Sequence, residues 1–339
     1  MTINVNSPEV VGKIHELLLL CGATPESFEG ELITQMIQTS LRLSNDNHDT
    51  GQIKLINRAL KEMRYAYNIF NQYKELPRIS IFGSARTPEA HPDYQAAKRF
   101  SSLISELGWM CITGAANGIM KAGLEGSKTE TSFGLSIRLP FETPNSLIHG
   151  DPKLIMFRYF FTRKLMFVSH SHATAFFPGG VGTMDELFEV LTLIQTGKTN
   201  IIPVVLMEGA NGDYWQNWHH YVHKHLLGNG WISNEDEALF YIAPSVEAGA
   251  RHIERFYKRY HSSRYVHEWL VLRIKSLLTE EQLLQLNEQF APLLEKDAIT
   301  QGDALPEEDD FLDLPRLILY PKRREVGLLR RLIDQINEF

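Results

Sequence analysis

Between residues 77 and 208 the chain alternates short apolar runs with amphipathic segments, and the joints between them are rich in glycine. Arg78–Phe82 reads as a strand, Gly83-Ser84-Ala85-Arg86 as a loop, and a helix is expected from about Pro92, a residue suited to a first helical turn. Trp109–Thr113 reads as a second strand, then the loop Gly114-Ala115-Ala116-Asn117-Gly118 and a helix from Ile119 to about Gly126. Ser132–Leu139, closed by Pro140, is a third strand, and Leu154–Phe157 a fourth that leads into a helix through Val168. His172–Phe177 is a buried strand ended by Pro178-Gly179-Gly180-Val181-Gly182, and the helix after it carries Leu187, Val190, Leu191 and Ile194 on one face. Ile201–Met207 follows, and Pro203 implies that its first residues are unpaired. Such alternation dictates an α/β fold, a doubly wound parallel sheet, with ligands bound outside the carboxyl ends of the strands, where the glycine loops lie.

The flanks differ. Residues 1–76 read as a helical region, with segments near 8–21, 27–43 and 51–74 separated by Pro25, Asn45–Asn47 and Gly51. They hold no glycine loop and no cluster of reactive side chains, so a helical cap or oligomerisation element is expected. Residues 77–244 form the expected ligand-binding core, nucleotide-binding by the resemblance described below, and 245–339 a small α/β appendage. That appendage reads as a helix near 245–260, an extended run at Arg264–Ile274, a helix at 279–290, an acidic loop at Gln301–Asp310, a strand at Arg316–Leu319 and a terminal helix at 324–338.

Acidic residues outnumber basic ones, 41 to 34, for a net charge of −7. That balance argues against broad electrostatic binding to nucleic acid or to an anionic membrane, and neither is expected as a partner. The late clusters Lys322-Arg323-Arg324 and Arg330-Arg331 border an amphipathic helix and read as a solvated face. The start, Met-Thr-Ile-Asn-Val-Asn, lacks a basic segment and a signal-like apolar stretch, and no run approaches the roughly 20 apolar residues of a membrane helix. A cytoplasmic protein is expected. Cys21 follows a leucine run and Cys111 sits in an expected strand, so both are expected to be buried, with no disulfide framework or cysteine metal site.

The glycine loops match neither the G-x-G-x-x-G dinucleotide fingerprint nor the P-loop. Three strand-end loops bearing Gly, Ser, Asn or Thr still point to a phosphate-bearing ligand, since the helix start after Gly182 offers free N–H groups and Thr183 a hydroxyl. Tight turning alone accounts for each loop separately. Thr183-Met184-Asp185-Glu186 also fits a capping box, in which Thr183 and Glu186 only satisfy the backbone. In Arg158-Tyr159-Phe160-Phe161-Thr162-Arg163-Lys164 the rings of Phe157, Phe160 and Phe161 are expected to face the core, with Arg163 and Lys164 at the next turn; a helix with exposed cations reads equally well. His219 and His223 stand at the spacing of a helical metal pair but without the Glu of H-E-x-x-H, and His170 and His172 flank a strand start, so no metal is expected.

Taken together, Gly83-Ser84-Ala85-Arg86, Thr113-Gly114-Ala115-Ala116-Asn117-Gly118-Ile119-Met120, Phe161-Thr162-Arg163-Lys164 and Pro178-Gly179-Gly180-Val181-Gly182-Thr183-x-x-Glu186 resemble the Lonely Guy family, long labelled "possible lysine decarboxylase". The resemblance covers about residues 77–208. It implies a Rossmann-like fold and a phosphoribohydrolase, which cleaves a nucleoside 5′-monophosphate to free base and ribose 5-phosphate with no metal or redox cofactor. It also implies that Arg163 and Glu186 are catalytic, that active sites lie near a subunit contact, and that the protein is a homo-oligomer, at least a dimer. Gly83, Ser84, Gly114, Asn117, Gly118, Lys164, Gly179, Gly180, Gly182 and Thr183 are then the expected substrate contacts. The family loop is usually T-G-G-G-x-G-I-M, and the methyl groups of Ala115 and Ala116 are expected to narrow the approach of a nucleotide. A non-catalytic carrier of a nucleotide or phosphate-bearing cofactor is the alternative with the same fold. The old label implies pyridoxal phosphate chemistry, for which no lysine stands in a recognisable setting.

Overall fold

Ser7 opens the first helix, α1 (Pro8–Leu20), by accepting from the Val10 N–H, and Pro8 takes a first-turn position where no amide partner is needed. Ser27 does the same for α2 (Phe28–Arg42), accepting from the Gly30 N–H at 3.0 Å. A longer helix, α3 (Thr50–Phe70), follows. The computed structural model describes residues 4–46, 48–140 and 145–339. Asn47 of the expected break and the first three residues of the chain start lie outside the described residues.

The chain forms two units, Met1–Tyr65 and Ala66–Phe339. Within the first, Ile14 and Leu18 are buried while Leu17, Leu19, Leu20 and Phe28 are exposed. Cys21 departs from expectation. It is the C-cap of α1, past the inward stripe of the helix, and is exposed, whereas Cys111 is buried.

In the second unit seven parallel strands form one sheet: β1 (Arg78–Phe82), β2 (Met110–Thr113), β3 (Ser132–Ile137), β4 (Leu154–Phe157), β5 (Ala173–Phe176), β6 (Val204–Leu206) and β7 (Tyr241–Ile242). Their order is β4-β3-β2-β1-β5-β6-β7. Every residue of β1, β2, β3 and β5 is buried, as strands covered on both faces require. The helices are α4 (Pro92–Glu106), α5 (Ile119–Ser127), α6 (Phe160–Ser169), α7 (Val181–Gln195), α8 (Tyr214–Tyr221) and α9 (Val246–Phe256). Ile79 and Ile81 share a core with Tyr94, Phe100 and Ile104 of α4 and with Ala250 and Ile253 of α9. As Pro203 implied, β6 begins only at Val204; the Pro203 carbonyl still accepts from the Thr174 N–H at 2.9 Å.

The strand order reverses between β1 and β5, which pair from Ile79↔Ala173 to Phe82↔Phe176. Pairing continues past both strands: Phe177 N–H donates to Phe82 O at 2.9 Å and Ser84 N–H to Pro178 O at 3.1 Å. The two glycine loops therefore leave the sheet side by side at its switch point, where doubly wound sheets bind their ligands.

The rest of the unit is an antiparallel sheet of β8 (Tyr260–Val266), β9 (Trp269–Ile274), β10 (Leu294–Gly302) and β11 (Arg316–Pro321), ordered β10-β11-β9-β8, with helices α10 (Glu280–Gln289) and α11 (Val326–Glu338). The single extended run expected at Arg264–Ile274 is a hairpin, with His267 at φ 54 between its strands. β10 has no counterpart in the sequence reading. It is an edge strand, exposed from Glu295 to Ala298, whose pairing to β11 is interrupted around Asp297 at φ 58, so neither alternation nor a turn signal marks it. Buried Asn337 ties α11 to the start of β8: its side-chain oxygen accepts from Arg259 and Tyr260 N–H at 2.9 Å each, and its amide donates to Phe256 O at 2.7 Å.

Candidate functional site

An open cavity of about 690 Å³ lies outside the carboxyl ends of β1, β2 and β5. From the loop after β1 it is lined by Gly83, Ser84 and Arg86, and from the loop after β2 by Gly114 and Ala116. Helix α6 contributes Arg163 with Phe160 and Phe167, and the start of α7 contributes Gly180, Gly182, Thr183 and Glu186.

The loop before α7 decides how its side chains point. Gly180 is the N-cap in an extended conformation, and the N–H groups of Thr183 and Met184 both reach its carbonyl, at 3.1 and 3.2 Å. The helix thus begins at Val181, three residues before the start that a capping box needs. Thr183 sits within the first turn and no side chain caps the helix, which corrects the capping-box reading. Glu186 falls in the second turn, on the inner face. Gly180 and Gly182 have nothing among the described residues within 4 Å of where a Cβ would stand, so at these two positions the backbone is bare. This is an anion-binding geometry: a helix N-terminus whose amides a ligand can approach closely.

Arg163 is held by its neighbours on α6. Its guanidinium carbon lies 5.1 Å from the Phe160 ring centroid and 5.8 Å from that of Phe167, three residues before and four after it. That use of the rings departs from expectation for Phe160 and Phe161. Both are about half exposed, at 52% and 51%, because the inner face of α6 is taken by Thr162, Met166 and Phe167. Phe157 is buried as expected. Gly114 makes room on the other side: a Cβ there would lie 2.5 Å from Met120 Sδ and 3.9 Å from Arg163 Nη1.

Glu186 is 6% exposed, and its Oε2 has no hydrogen-bond partner among the described residues. Burial pushes its carboxyl up, Lys164 and Arg163 pull it back, and Glu189 and Asp185 push it up again, leaving it at about 7. A group poised there exchanges a proton near neutral pH.

Four of the expected contacts lie off the cavity wall. Lys164 turns toward α7, where it pairs with Asp185 at 3.0 Å and with Glu189, neutralising the acidic outer face of that helix. Asn117 is exposed, its side-chain oxygen 3.4 Å from Asn145 Nδ2. Gly118, at φ 62, packs against the β1 loop, where a Cβ would fall 2.2 Å from Ser84 O. Gly179 is pressed against Thr183, whose Oγ1 would lie 2.1 Å from a Cβ there. Gly118 and Gly179 shape the loops rather than face the cavity. Ala115 also differs from expectation: it adopts φ 56, and its methyl packs in a small core with Leu124 and Ile148. Of the two alanines only Ala116 lines the cavity.

Two residues escaped the sequence reading of the site. Arg86 follows the Gly83-Ser84-Ala85 loop directly and was legible as a cation beside it. Tyr214, at the start of α8, donates its hydroxyl to Gly179 O at 2.6 Å and so braces the α7 loop from 35 residues away, with no local signal. The histidine pair reads as structural: His219 Nε2 lies 3.2 Å from Glu237 Oε1, and among the described residues no group of three or more His, Cys, Asp or Glu is placed to hold a metal ion. Nor is any described helix long and apolar enough to cross a membrane.

The family described as "Possible lysine decarboxylase" matches residues 113–253, which include the Gly114 loop, Arg163 and Glu186 and leave Gly83–Arg86 outside. No curated protein matches the chain. Among solved structures, the molybdenum cofactor carrier protein of Chlamydomonas reinhardtii is similar at 18% identity over 53% of this chain and 97% of that one, with a TM-score of 0.38. The molybdenum cofactor binding protein of the phototrophic bacterium Rippkaea orientalis gives 18% over 53% and 96%, with a TM-score of 0.38. DNA processing protein A of Helicobacter pylori, described for its single-stranded DNA binding mode, gives 11% over 54% and 83%, also at 0.38. Residues 113–253 are thus a domain of the "Possible lysine decarboxylase" family, the Lonely Guy family that the loops of the sequence resemble.

Proposed function

We propose that the cavity binds a nucleoside 5′-monophosphate and hydrolyses its N-glycosidic bond. Water adds across the bond: its oxygen joins C1′, the C1′–N bond breaks, and a proton ends on the departing base. The observation that carries this reading is the buried carboxyl of Glu186, with an unpartnered oxygen, in the same cavity as Arg163 and an open helix N-terminus.

Positive charge grows on the ribose as the bond breaks. In its ionised form Glu186 stabilises that charge or takes the proton of the attacking water. Arg163, fixed between two rings, holds the substrate or assists the base as it leaves. Gly180, Gly182 and Thr183, with Gly83 and Ser84 opposite, receive the 5′-phosphate. The reaction needs water and no cofactor. Residues 77–244 are the catalytic domain in this reading, and the active form is a homo-oligomer, which light scattering of an active sample checks.

Incubation of the pure protein with purine and pyrimidine monophosphates and with the matching nucleosides tests the proposal. Free base is expected from monophosphates far faster than from nucleosides. Equal rates with and without the phosphate remove the role given to the α7 loop. Stabilisation against heat by monophosphates with no base released selects the carrier instead.

A further inference from the structure

Trp109 directly precedes β2 and Tyr241 opens β7, so both stand at the amino-terminal edge of the parallel sheet, opposite the cavity described above. Beside them lies a second cavity, of about 930 Å³. Arg251, Arg255 and Lys258 line it at spacings of four and three residues, a single stripe along α9 and the turn that continues it. Lys275, just past β9, completes the wall. Against these four cations the wall holds one carboxylate, Glu254, in a chain whose net charge is −7.

Three of the four cations have no ion-pair partner among the described residues. Arg255 pairs with Glu338 at the surface and also feels the Asp334 carboxylate, so it is the one neutralised cation of the four. Lys275 donates to the Tyr257 carbonyl and Lys258 to that of Asn337, neither of which carries a charge. Arg251 has no hydrogen-bond or ion-pair partner among the described residues. Burial holds the Lys275 ammonium below its ordinary value. Aromatic rings line the same cavity: Trp109 and Tyr257 have centroids 5.8 Å apart, and Tyr241 stacks on His252 at 4.2 Å.

Like charges gathered on one wall repel, and a multivalent anion relieves that repulsion. A forked guanidinium suits phosphate oxygens, and an ammonium meets them as a point charge. We propose that this cavity binds an anion carrying two or more phosphates, independently of the carboxyl-end cavity. Such an anion is either an inorganic polyphosphate or the phosphate chain of a nucleotide, whose base would lie against the Trp109 and Tyr257 rings.

Calorimetric titration of the full chain at low salt with sodium tripolyphosphate, ATP and AMP tests this. Wild type is compared with an Arg251→Gln, Lys275→Gln double variant and with Arg163→Ala, and a melting curve checks that each is folded. Tripolyphosphate and ATP are expected to bind, to weaken about tenfold or more in the double variant, and to be unaffected by Arg163→Ala. Tighter binding of ATP than of tripolyphosphate identifies a nucleotide as the ligand; equal binding identifies the phosphate chain alone. The proposal is overturned if neither tripolyphosphate nor ATP binds at millimolar concentration, if the double variant weakens AMP binding as much as ATP binding, if the folded double variant binds tripolyphosphate and ATP unchanged, or if Arg163→Ala abolishes their binding.

Discussion

Thr183 and Glu186 lie one turn apart on α7, 7% and 6% exposed, both lining the same cavity and neither capping the helix. The pairing that the sequence offers as a capping box is thus turned inward as a pair of polar groups facing a ligand space. A lost N-cap costs about 1 kcal/mol of stability, but Thr183 is no cap, so Thr183→Ala should leave the melting temperature nearly unchanged. If its hydroxyl donates to the phosphate, nucleotide binding should weaken by about 1.5–3 kcal/mol. Titration and a melting curve on the same sample separate the two effects.

Gly182 and Gly118 should respond in opposite ways to alanine. Gly182 is inside the first turn of α7 with open space where a Cβ would stand, so Gly182→Ala should stabilise the protein by about 0.5–1 kcal/mol while weakening monophosphate binding. Gly118 has φ 62 and would set a Cβ 2.2 Å from Ser84 O, so Gly118→Ala should lower the melting temperature outright. Gain of stability with loss of ligand at position 182 is the outcome that a purely structural loop does not give.

The parallel core was legible because its strands are short apolar runs closed by Gly or Pro, and because Phe82 and Phe177 each precede such a stop. What failed was the fine position of a helix start. Thr279-x-x-Gln282 forms a true capping box at α10, whereas Thr183-x-x-Glu186, with the same local pattern, does not. The difference is the loop before it, where Gly180 takes the N-cap and shifts the helix three residues earlier. Lys164 was misplaced for a related reason: adjacent residues on a helix point about 100° apart, so Arg163 facing the cavity sends Lys164 to Asp185 and Glu189. The brace from Tyr214 and the strand β10 depend on partners far along the chain, which no local pattern encodes.

Acid should destabilise the fold well before ordinary carboxylates titrate. Burial lowers His170 and His172 to about 4 and His252 to about 3, with Arg78 beside the first two and Arg330 beside the third adding to the effect. These groups bind protons near pH 6.5 when unfolded and resist them when folded, so their contribution is complete above pH 6.5 and is lost as pH falls toward 4. Glu186, raised to about 7, acts in the opposite sense as it protonates, and so do Glu208 and Asp334, which burial also raises; His261, lowered by burial, adds to the other three histidines. Urea unfolding at pH 7 and pH 5 should show a clear drop in the midpoint at pH 5, and an unchanged midpoint would contradict the burial of these rings.

Glu308 should be among the costliest residues of the C-terminal sheet to replace. Its fully buried carboxylate accepts from Arg273 Nη2 at 2.8 Å, from Arg316 Nε at 2.9 Å and from the Leu305 N–H at 3.2 Å. Removing it leaves two guanidinium groups buried without their counter-charge, which costs about 3–5 kcal/mol. Glu308→Ala should therefore lower the denaturant midpoint sharply.

The measurement that bears most directly on the account is base release by Glu186→Gln beside wild type, with the melting temperature and monophosphate binding of each sample recorded. Glutamine keeps the shape of the side chain and removes its charge. Folding and binding should survive while turnover falls about 10²–10⁴-fold, and the rise of wild-type activity through about pH 7 should vanish. A folded Glu186→Gln protein that binds monophosphates and releases base at the wild-type rate would contradict the role of Glu186 and the hydrolytic reading of the cavity built on it.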